Sequence, residues 1–210
     1  LLISWLILLI MVIPALSPVT GSDPGTSPLF MINATCSPLM VNDPEFDFEF
    51  RRTLGSMYSG CADLGEVIAT ASRMDPLTYE TWFREWTRTA DHFREVGDEA
   101  SAAGHSVSAH DAWLRASTYY RTAEFFLHRD PADPRIVETW EKSRDTFQRA
   151  MERESFPVSE VAIPYGNTSL PGYLYLVDDS GKQRPLLIIQ TGYDGTQEEL
   201  YPNAREGIRR

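Results

Sequence analysis

The sequence has few of the residues that build metal centres and disulfide frameworks. Its 210 residues include only two cysteines, Cys36 and Cys61, and four histidines. They form no Cys/His cluster with the spacing of zinc ligands, so we expect no metal and no other cofactor. A Cys36–Cys61 disulfide stays open if the chain is secreted, and two isolated thiols are the alternative.

Positive charge is scarce as well. Lys and Arg total 19 against 30 Asp and Glu, which gives a formal net charge of -11. A nucleic-acid-binding surface needs clustered cations, whereas the basic runs here, such as Arg51-Arg52, are only pairs. The composition therefore excludes nucleic acid as a partner. Its 42% hydrophobic content is enough for a core and argues against a disordered chain.

One long apolar run is present, at residues 1–16, and it is shorter than the roughly 20 residues that a membrane-spanning helix needs. It is typical of the apolar region of a signal peptide, with an acceptable cleavage site at Ala15-Leu16-Ser17. A truncated signal and a mistranslated upstream segment both stay open. We expect a secreted or membrane-anchored chain if residues 1–16 are a genuine signal, and a cytoplasmic one otherwise.

The first half of the chain changes from linker to helical patterning. Residues 18–45 have the Pro- and Ser-rich composition of a linker, and residues 45–50 alternate acidic and aromatic side chains, which predicts a short strand or an extended arm. Aromatic and apolar residues then recur every three or four positions, which predicts a compact helical unit. Its four helices are expected at residues 61–72, from Asp75-Pro76 to 96, from Ser106 or Ser108 to 127, and from Pro134 to 151.

The second half has strand periodicity. Residues 158–165 and 170–177 predict paired strands, and the apolar run 185–190 predicts a strand buried on both faces. A glycine-containing turn at 191–196 and an acidic helix start follow. We divide the chain into a signal or anchor, a linker, a helical cap domain and the start of an α/β core, at residues 1–17, 18–45, 46–156 and 157–210.

Several motifs resemble one group of α/β hydrolases with an N-terminal helical cap. The group includes 2,6-dihydroxypseudooxynicotine hydrolase and the fungal polyketide-shortening hydrolases of pigment biosynthesis, and the resemblance covers residues 45–207. The motifs of the cap are Gly60-Cys61-Ala62-Asp63-Leu64-Gly65-Glu66, the pair Trp82 and Trp86, and residues 114–126. Those of the core entry are Ile163-Pro164-Tyr165, Leu170-Pro171-Gly172-Tyr173 and residues 192–200.

The resemblance implies the fold class and the chemistry. It implies an α/β fold in which a helical cap domain precedes the first strands of an incomplete hydrolase core. The implied activity is cleavage of an ester, amide or carbon–carbon bond of a small molecule by a Ser-His-Asp triad. The sequence contains no G-x-S-x-G nucleophile elbow. We therefore expect this chain to lack the triad and to be inactive alone.

The resemblance also implies candidate site residues. Tyr193 matches the oxyanion position, so its backbone N–H would be one donor to the reacting carbonyl in the parent enzyme. Tyr120, Arg121 and Glu124 are candidates for substrate binding under the cap. The alternative places Tyr120 in the core and the other two on the helix surface.

A different class of function stays open. The helical stripes would also suit a protein-interaction module with a β-rich tail, although they show no repeating consensus at a fixed period. The expected partner of the full-length parent is a small-molecule substrate, and a homodimer stays open. A membrane is expected as a partner only through residues 1–16, if they are retained.

Overall fold

The structure is a computed structural model that describes residues 39–209. The predicted signal, most of the predicted linker and Cys36 lie outside the described residues. Short 3₁₀ helices lie at Ser56–Ser59, Phe125–Arg129 and Glu198–Leu200. The longer elements are α1 Pro44–Gly55, α2 Leu64–Ala71, α3 Tyr79–Ala102, α4 Ser106–Glu124, α5 Arg135–Met151, β1 Val158–Tyr165, β2 Thr168–Tyr175 and α6 Tyr201–Ile208.

Helix α1 corrects the predicted strand or extended arm at residues 45–50. Asp43 caps the helix, because its Oδ1 accepts two backbone N–H groups of the first turn at 3.0 and 3.2 Å. Pro44 occupies the first turn, where a missing N–H breaks no helical hydrogen bond. The four-residue spacing of Phe46 and Phe50 then buries both rings on one face. The alternating pattern was misleading because it also fits this helix.

Helix α2 is shorter than the predicted helix at 61–72. Asp63 is the N-cap, since its Oδ1 accepts the Gly65 N–H at 2.8 Å. Cys61 therefore precedes the helix, which corrects its predicted helical position. It is buried, and the Ser59 hydroxyl donates to its Sγ at 3.3 Å.

Helix α3 begins three residues later than Pro76, after Thr78. Thr78 and Thr81 form a reciprocal capping box: the Thr81 N–H donates to Thr78 Oγ1 at 3.1 Å, and the Thr78 N–H donates to Thr81 Oγ1 at 2.9 Å. These bonds satisfy backbone donors at the helix start. The capping box, rather than Asp75-Pro76, thus sets the boundary.

The helical unit is confirmed, with Trp82 and Trp86 fully buried at its centre. The Trp82 indole N–H donates to the Thr122 carbonyl at 2.7 Å, which ties α3 to α4. Phe147 of α5 is buried as its periodicity predicts, whereas Val137 is 56% exposed. Within residues 39–209, no helix has both the length and the apolar character that crossing a membrane requires.

The predicted hairpin is confirmed, with its second strand two residues earlier than expected. Strands β1 and β2 pair antiparallel in a register that runs from Val158 opposite Tyr175 to Tyr165 opposite Thr168. Gly166, whose φ is +55°, starts the turn between them. The hairpin packs on the helical unit through its tyrosines, as in the 5.1 Å ring contact of Tyr173 with Phe147.

The predicted buried strand at 185–190 is wrong for the described chain. These residues have no strand assignment, and Leu186, Leu187 and Ile188 are 74%, 69% and 50% exposed. A strand of this kind obtains its hydrogen bonds and its cover from neighbouring strands. Among residues 39–209 only β1 and β2 form a sheet, and no parallel sheet is present. The turn at 191–196 therefore has no sheet edge beside it here.

A buried polar cluster attaches α6 to the helical unit. The hydroxyl of the buried Tyr201 donates to Glu154 Oε2, which lies 3.3 Å from His110 Nε2. His110 Nδ1 lies 2.8 Å from Asp111 Oδ1. Burial opposes protonation of His110, but the two carboxylates outweigh it and raise the pKa of the imidazole. Burial disfavours the Glu154 anion, yet the nearby imidazole of His110 and the hydrogen bond from the Tyr201 hydroxyl lower the pKa of that carboxyl.

These shifts predict a pH window for the stability that the cluster provides. Because the pKa of His110 is raised in the folded state, protonated His110 stabilises the fold fully below the ordinary imidazole pKa of 6.5. This stabilisation is lost as the pH rises through the folded-state pKa. The lowered pKa of Glu154 stabilises the fold above its ordinary value of 4.5. We expect His110→Gln to destabilise the chain most between these values and least in alkaline solution. Urea unfolding across pH measures the difference.

The exposed His105 provides the control for this series. His105→Gln at the start of the same helix should cost little stability, because the exposed side chain makes no capping hydrogen bond. If the destabilisation by His110→Gln instead grew steadily towards alkaline pH, protonated His110 would not be the stabilising group of the cluster.

Candidate active site

A buried arginine connects the helical unit to the glycine-containing turn. Arg121 lies on α4 and is 6% exposed. Its Nη1 donates to Glu124 Oε1 at 2.7 Å, and its Nε donates to Glu199 Oε2 at 3.0 Å. Its Nη2 donates to the backbone carbonyl of Asp194. The Arg121 guanidinium therefore holds the turn at 191–196 at two points: the Asp194 carbonyl within it and the Glu199 carboxylate that follows it.

Glu199 completes this connection. Its Oε1 accepts from Arg52 Nη2 of α1 at 2.7 Å, and its Oε2 accepts the Thr196 backbone N–H at 2.8 Å. Burial alone would lower the pKa of Arg121, but the carboxylates of Glu199 and Glu124 raise it. The guanidinium thus stays charged inside the protein, and the turn is anchored to both α1 and α4.

Gly195 is required by the same turn. A Cβ at this position would collide with the Thr191 hydroxyl. Glycine therefore lets residue 195 approach the Thr191 side chain closely within the turn.

A cavity of about 350 Å³ lies between the helical unit and the residues after the hairpin. Its polar lining includes Arg52, Arg121, Glu198 and Glu199, and Phe125 provides an aromatic surface. The guanidinium carbons of Arg52 and Arg121 each lie 5.4 Å from the Phe125 ring centroid. The cavity is of the size that small-molecule sites occupy, with a few convergent polar groups.

Glu49 is a lining residue that the sequence reasoning missed. Its side chain is 4% exposed, and among residues 39–209 its Oε1 has no hydrogen-bond partner. The nearest cationic nitrogen, Arg52 Nη1, is 3.7 Å away. The four-residue helical spacing of Thr53 and Glu49 would have pointed to a shared face, but the extended prediction for residues 45–50 hid it.

The structure distributes the predicted site residues over three environments. Arg121 lines the cavity, and Glu124 pairs with it while also lying 2.8 Å from His128 Nε2. Tyr120 is fully buried away from the cavity lining, and its hydroxyl donates to Asp91 Oδ1 at 2.5 Å. Tyr193 is 99% exposed, and no backbone carbonyl among the described residues accepts its N–H.

No metal centre accompanies these groups in the described part of the chain. Among residues 39–209, no three His, Cys, Asp or Glu side chains have an arrangement that could hold an ion. The chemistry that the cavity offers is that of hydrogen-bond donors, carboxyl groups and an aromatic wall.

A solved structure gives the class of fold. The crystal structure of the 2,6-dihydroxy-pseudo-oxynicotine hydrolase matches 61% of this chain and 34% of its own, with a TM-score of 0.50 and 19% sequence identity. The likeness confirms the predicted class, which is a helical domain followed by an incomplete α/β-hydrolase core.

A family model gives the narrower assignment. The model described as Esterase FrsA-like matches residues 77–209, which include α3 to α6 and the hairpin. The chain belongs to this FrsA-like esterase family, and the resemblance inferred from its motifs is confirmed.

Curated fungal relatives share the hydrolase description. Hydrolase acrC of Aspergillus aculeatus is 41% identical over 170 residues, which cover 74% of this chain and 40% of that protein. Hydrolase LUC6 of a Fusarium species is 40% identical over 161 residues, with coverages of 74% and 38%. The 20-hydroxy-prefusarin hydrolase FUS2 of Gibberella moniliformis is 36% identical over 160 residues, also with coverages of 74% and 38%. The chain therefore spans about 40% of the length of these relatives.

The Arg121 contacts predict how the turn would respond to their loss. Arg121→Met should destabilise the fold by about 3 kcal/mol, because it removes the buried cation that Glu124 and Glu199 share and leaves the Asp194 carbonyl without its donor. In this variant, the backbone amides at residues 194–199 should also exchange with solvent faster than they do in the parent chain. Exchange at the amides of α3 should not change. Denaturant unfolding and hydrogen exchange measure the two effects.

Arg129→Met is the matched control, since the Arg129 side chain is 60% exposed. Its cost should stay below about 1 kcal/mol, and exchange at 194–199 should not change. Equal protection of the turn in Arg121→Met and the parent chain would contradict the anchoring role.

Proposed function

We propose that this chain is the N-terminal part of an α/β hydrolase that cleaves an ester, amide or carbon–carbon bond of a small molecule. The observation that carries the proposal is the Arg121 connection, which fixes the turn at 191–196 beside the cavity. Membership of the FrsA-like esterase family and the hydrolase names of the relatives support it. The resemblance of the motifs extends the proposal to substrates of the polyketide class.

Tyr193 would act through its main chain. A backbone N–H without an acceptor can stabilise negative charge on a reacting carbonyl oxygen, whatever the side chain does. The exposed phenol of Tyr193 has no part in this role. Arg121 would position the turn through the Asp194 carbonyl, one residue further along the chain.

The substrate would occupy the cavity between the helical unit and the turn. Arg121 lines this space, whereas Glu124 supports it by pairing with the Arg121 guanidinium. We place Tyr120 outside the binding surface, because its ring is buried among the helices and its hydroxyl is engaged by Asp91. The substrate-binding role proposed from the sequence is thereby narrowed to Arg121, with Glu124 as its partner.

The nucleophile would have to come from residues outside this sequence, since no G-x-S-x-G is present in it. One oxyanion donor without a nucleophile cannot sustain turnover by this mechanism. We therefore propose that the 210-residue chain alone does not hydrolyse substrates.

Two measurements test the proposed function. The purified chain should not hydrolyse p-nitrophenyl acetate above the rate of buffer. A hybrid in which the chain replaces the matching region of the acrC hydrolase should regain turnover. In this hybrid, Tyr193→Pro removes the backbone N–H and should lower kcat about a hundredfold.

Tyr193→Ala is the matched control for the hybrid, because it keeps the N–H and removes only an exposed side chain. It should leave kcat unchanged. Ester turnover by the isolated chain, or full activity of the Tyr193→Pro hybrid, would overturn the proposal.

A further inference from the structure

We propose that Glu49 is the ligand-recognition residue of the cavity and that it binds a hydroxyl group of a neutral, aromatic small molecule. This inference rests on the proposed function only in taking the cavity as the substrate site. To the proposed function it adds a recognition residue on α1, Glu49, and the chemical class of the ligand.

The geometry of Glu49 leaves it with an unmet hydrogen-bonding requirement. The side chain is 4% exposed and lines the cavity, yet its Oε1 has no hydrogen-bond partner among residues 39–209. Arg52 Nη1, at 3.7 Å, is beyond hydrogen-bond distance. Buried polar atoms are normally paired, so an unpaired acceptor on a residue of the cavity wall points to a ligand.

The charges around the cavity favour a neutral ligand. Arg52 and Arg121 are both held by Glu199, and Arg121 is also held by Glu124. Glu198 accepts a hydrogen bond from the Tyr173 hydroxyl at 3.1 Å. The two cations are thus already neutralised, and an anionic ligand would meet further carboxyl groups. A neutral ligand disturbs none of these pairs.

The protonation behaviour of Glu49 favours a hydroxyl in particular. Burial raises its pKa to about 7, against the attraction of Arg52 and Arg121 and together with the charges of Glu199 and Asp194. Both protonation states are therefore present near neutrality. A hydroxyl donates to the carboxylate and accepts from the carboxylic acid, so it satisfies Glu49 in either state.

The remaining wall favours a flat apolar ligand body. The guanidinium groups of Arg52 and Arg121 lie over the Phe125 ring, and together the three side chains form a flat wall against which an aromatic ligand can pack. The volume of about 350 Å³ admits a bicyclic aromatic molecule. β-Naphthol combines such a body with one hydroxyl and is therefore the probe of choice.

Calorimetric titration of the 210-residue chain tests the recognition. At about pH 8 the carboxylate of Glu49 predominates and needs a donor. β-Naphthol should then bind at least tenfold more tightly than its methyl ether, which has no O–H, and more tightly than the β-naphthoate anion. Glu49→Gln should bind β-naphthol within about threefold of the parent, because the amide also accepts a hydrogen bond. Glu49→Leu should lose the preference for the alcohol.

Glu45→Gln is the matched control, since Glu45 lies on the same helix and outside the cavity lining. It should keep the full preference for β-naphthol. No β-naphthol binding by the parent chain, or an equal preference in Glu49→Leu, would overturn the inference. Neither result depends on ester turnover, so the inference and the proposed function can fail separately.

A second readout separates ligand recognition from a structural role. Relative to the unfolded chain, the raised pKa makes Glu49 destabilising as the pH rises from 4.5 towards 7. Glu49→Gln should therefore have a higher Tm than the parent at about pH 8 and the same Tm at about pH 4, below the ordinary pKa of the carboxyl. A lower Tm of Glu49→Gln at both pH values would show that the carboxyl group holds the fold together, and it would overturn the inference.

Discussion

The arrangement of this protein depends on one buried guanidinium. Arg121 contacts a carboxylate on its own helix, a carboxylate after the turn and a carbonyl within the turn. A cation held in the interior is stable only when its donors are satisfied, so these three acceptors fix one another's positions. Apart from this network, the residues after the hairpin bond to the helical unit through Tyr201, which donates to Glu154, and through Arg205, which donates to the Ser59 carbonyl at 2.8 Å.

The helical half of the fold could be predicted because its causes are local. The spacing of Trp82 and Trp86 and the later position of Phe147 contain the information that buries them. The boundaries were less predictable, since they depend on which of several polar residues caps each helix. Asp43 and Thr78 decide this by side-chain hydrogen bonds that compete with equally plausible neighbours.

The candidate site could be predicted only in part. Arg121 stood out by its place in a family motif, but its partner Glu199 is 78 residues away, a separation that no periodic pattern reveals. Glu49 was missed because the alternating pattern at residues 45–50 fits a strand as well as a helix. Only the helix capped by Asp43 brings the Glu49 carboxyl group to the cavity. The prediction of a buried strand at 185–190 was wrong for another reason. A buried strand needs neighbouring strands to pair with and to cover it, and none lies beside these residues in the described part of the chain.

The exposed run at Leu186, Leu187 and Ile188 has a consequence for how the protein must be made. Helices α3, α4 and α5 pack against sequence neighbours, so the helical half has the short-range topology that lets a chain organise quickly during synthesis. The apolar run has no such nearby cover. Its exposed side chains form an apolar surface through which newly made molecules can aggregate.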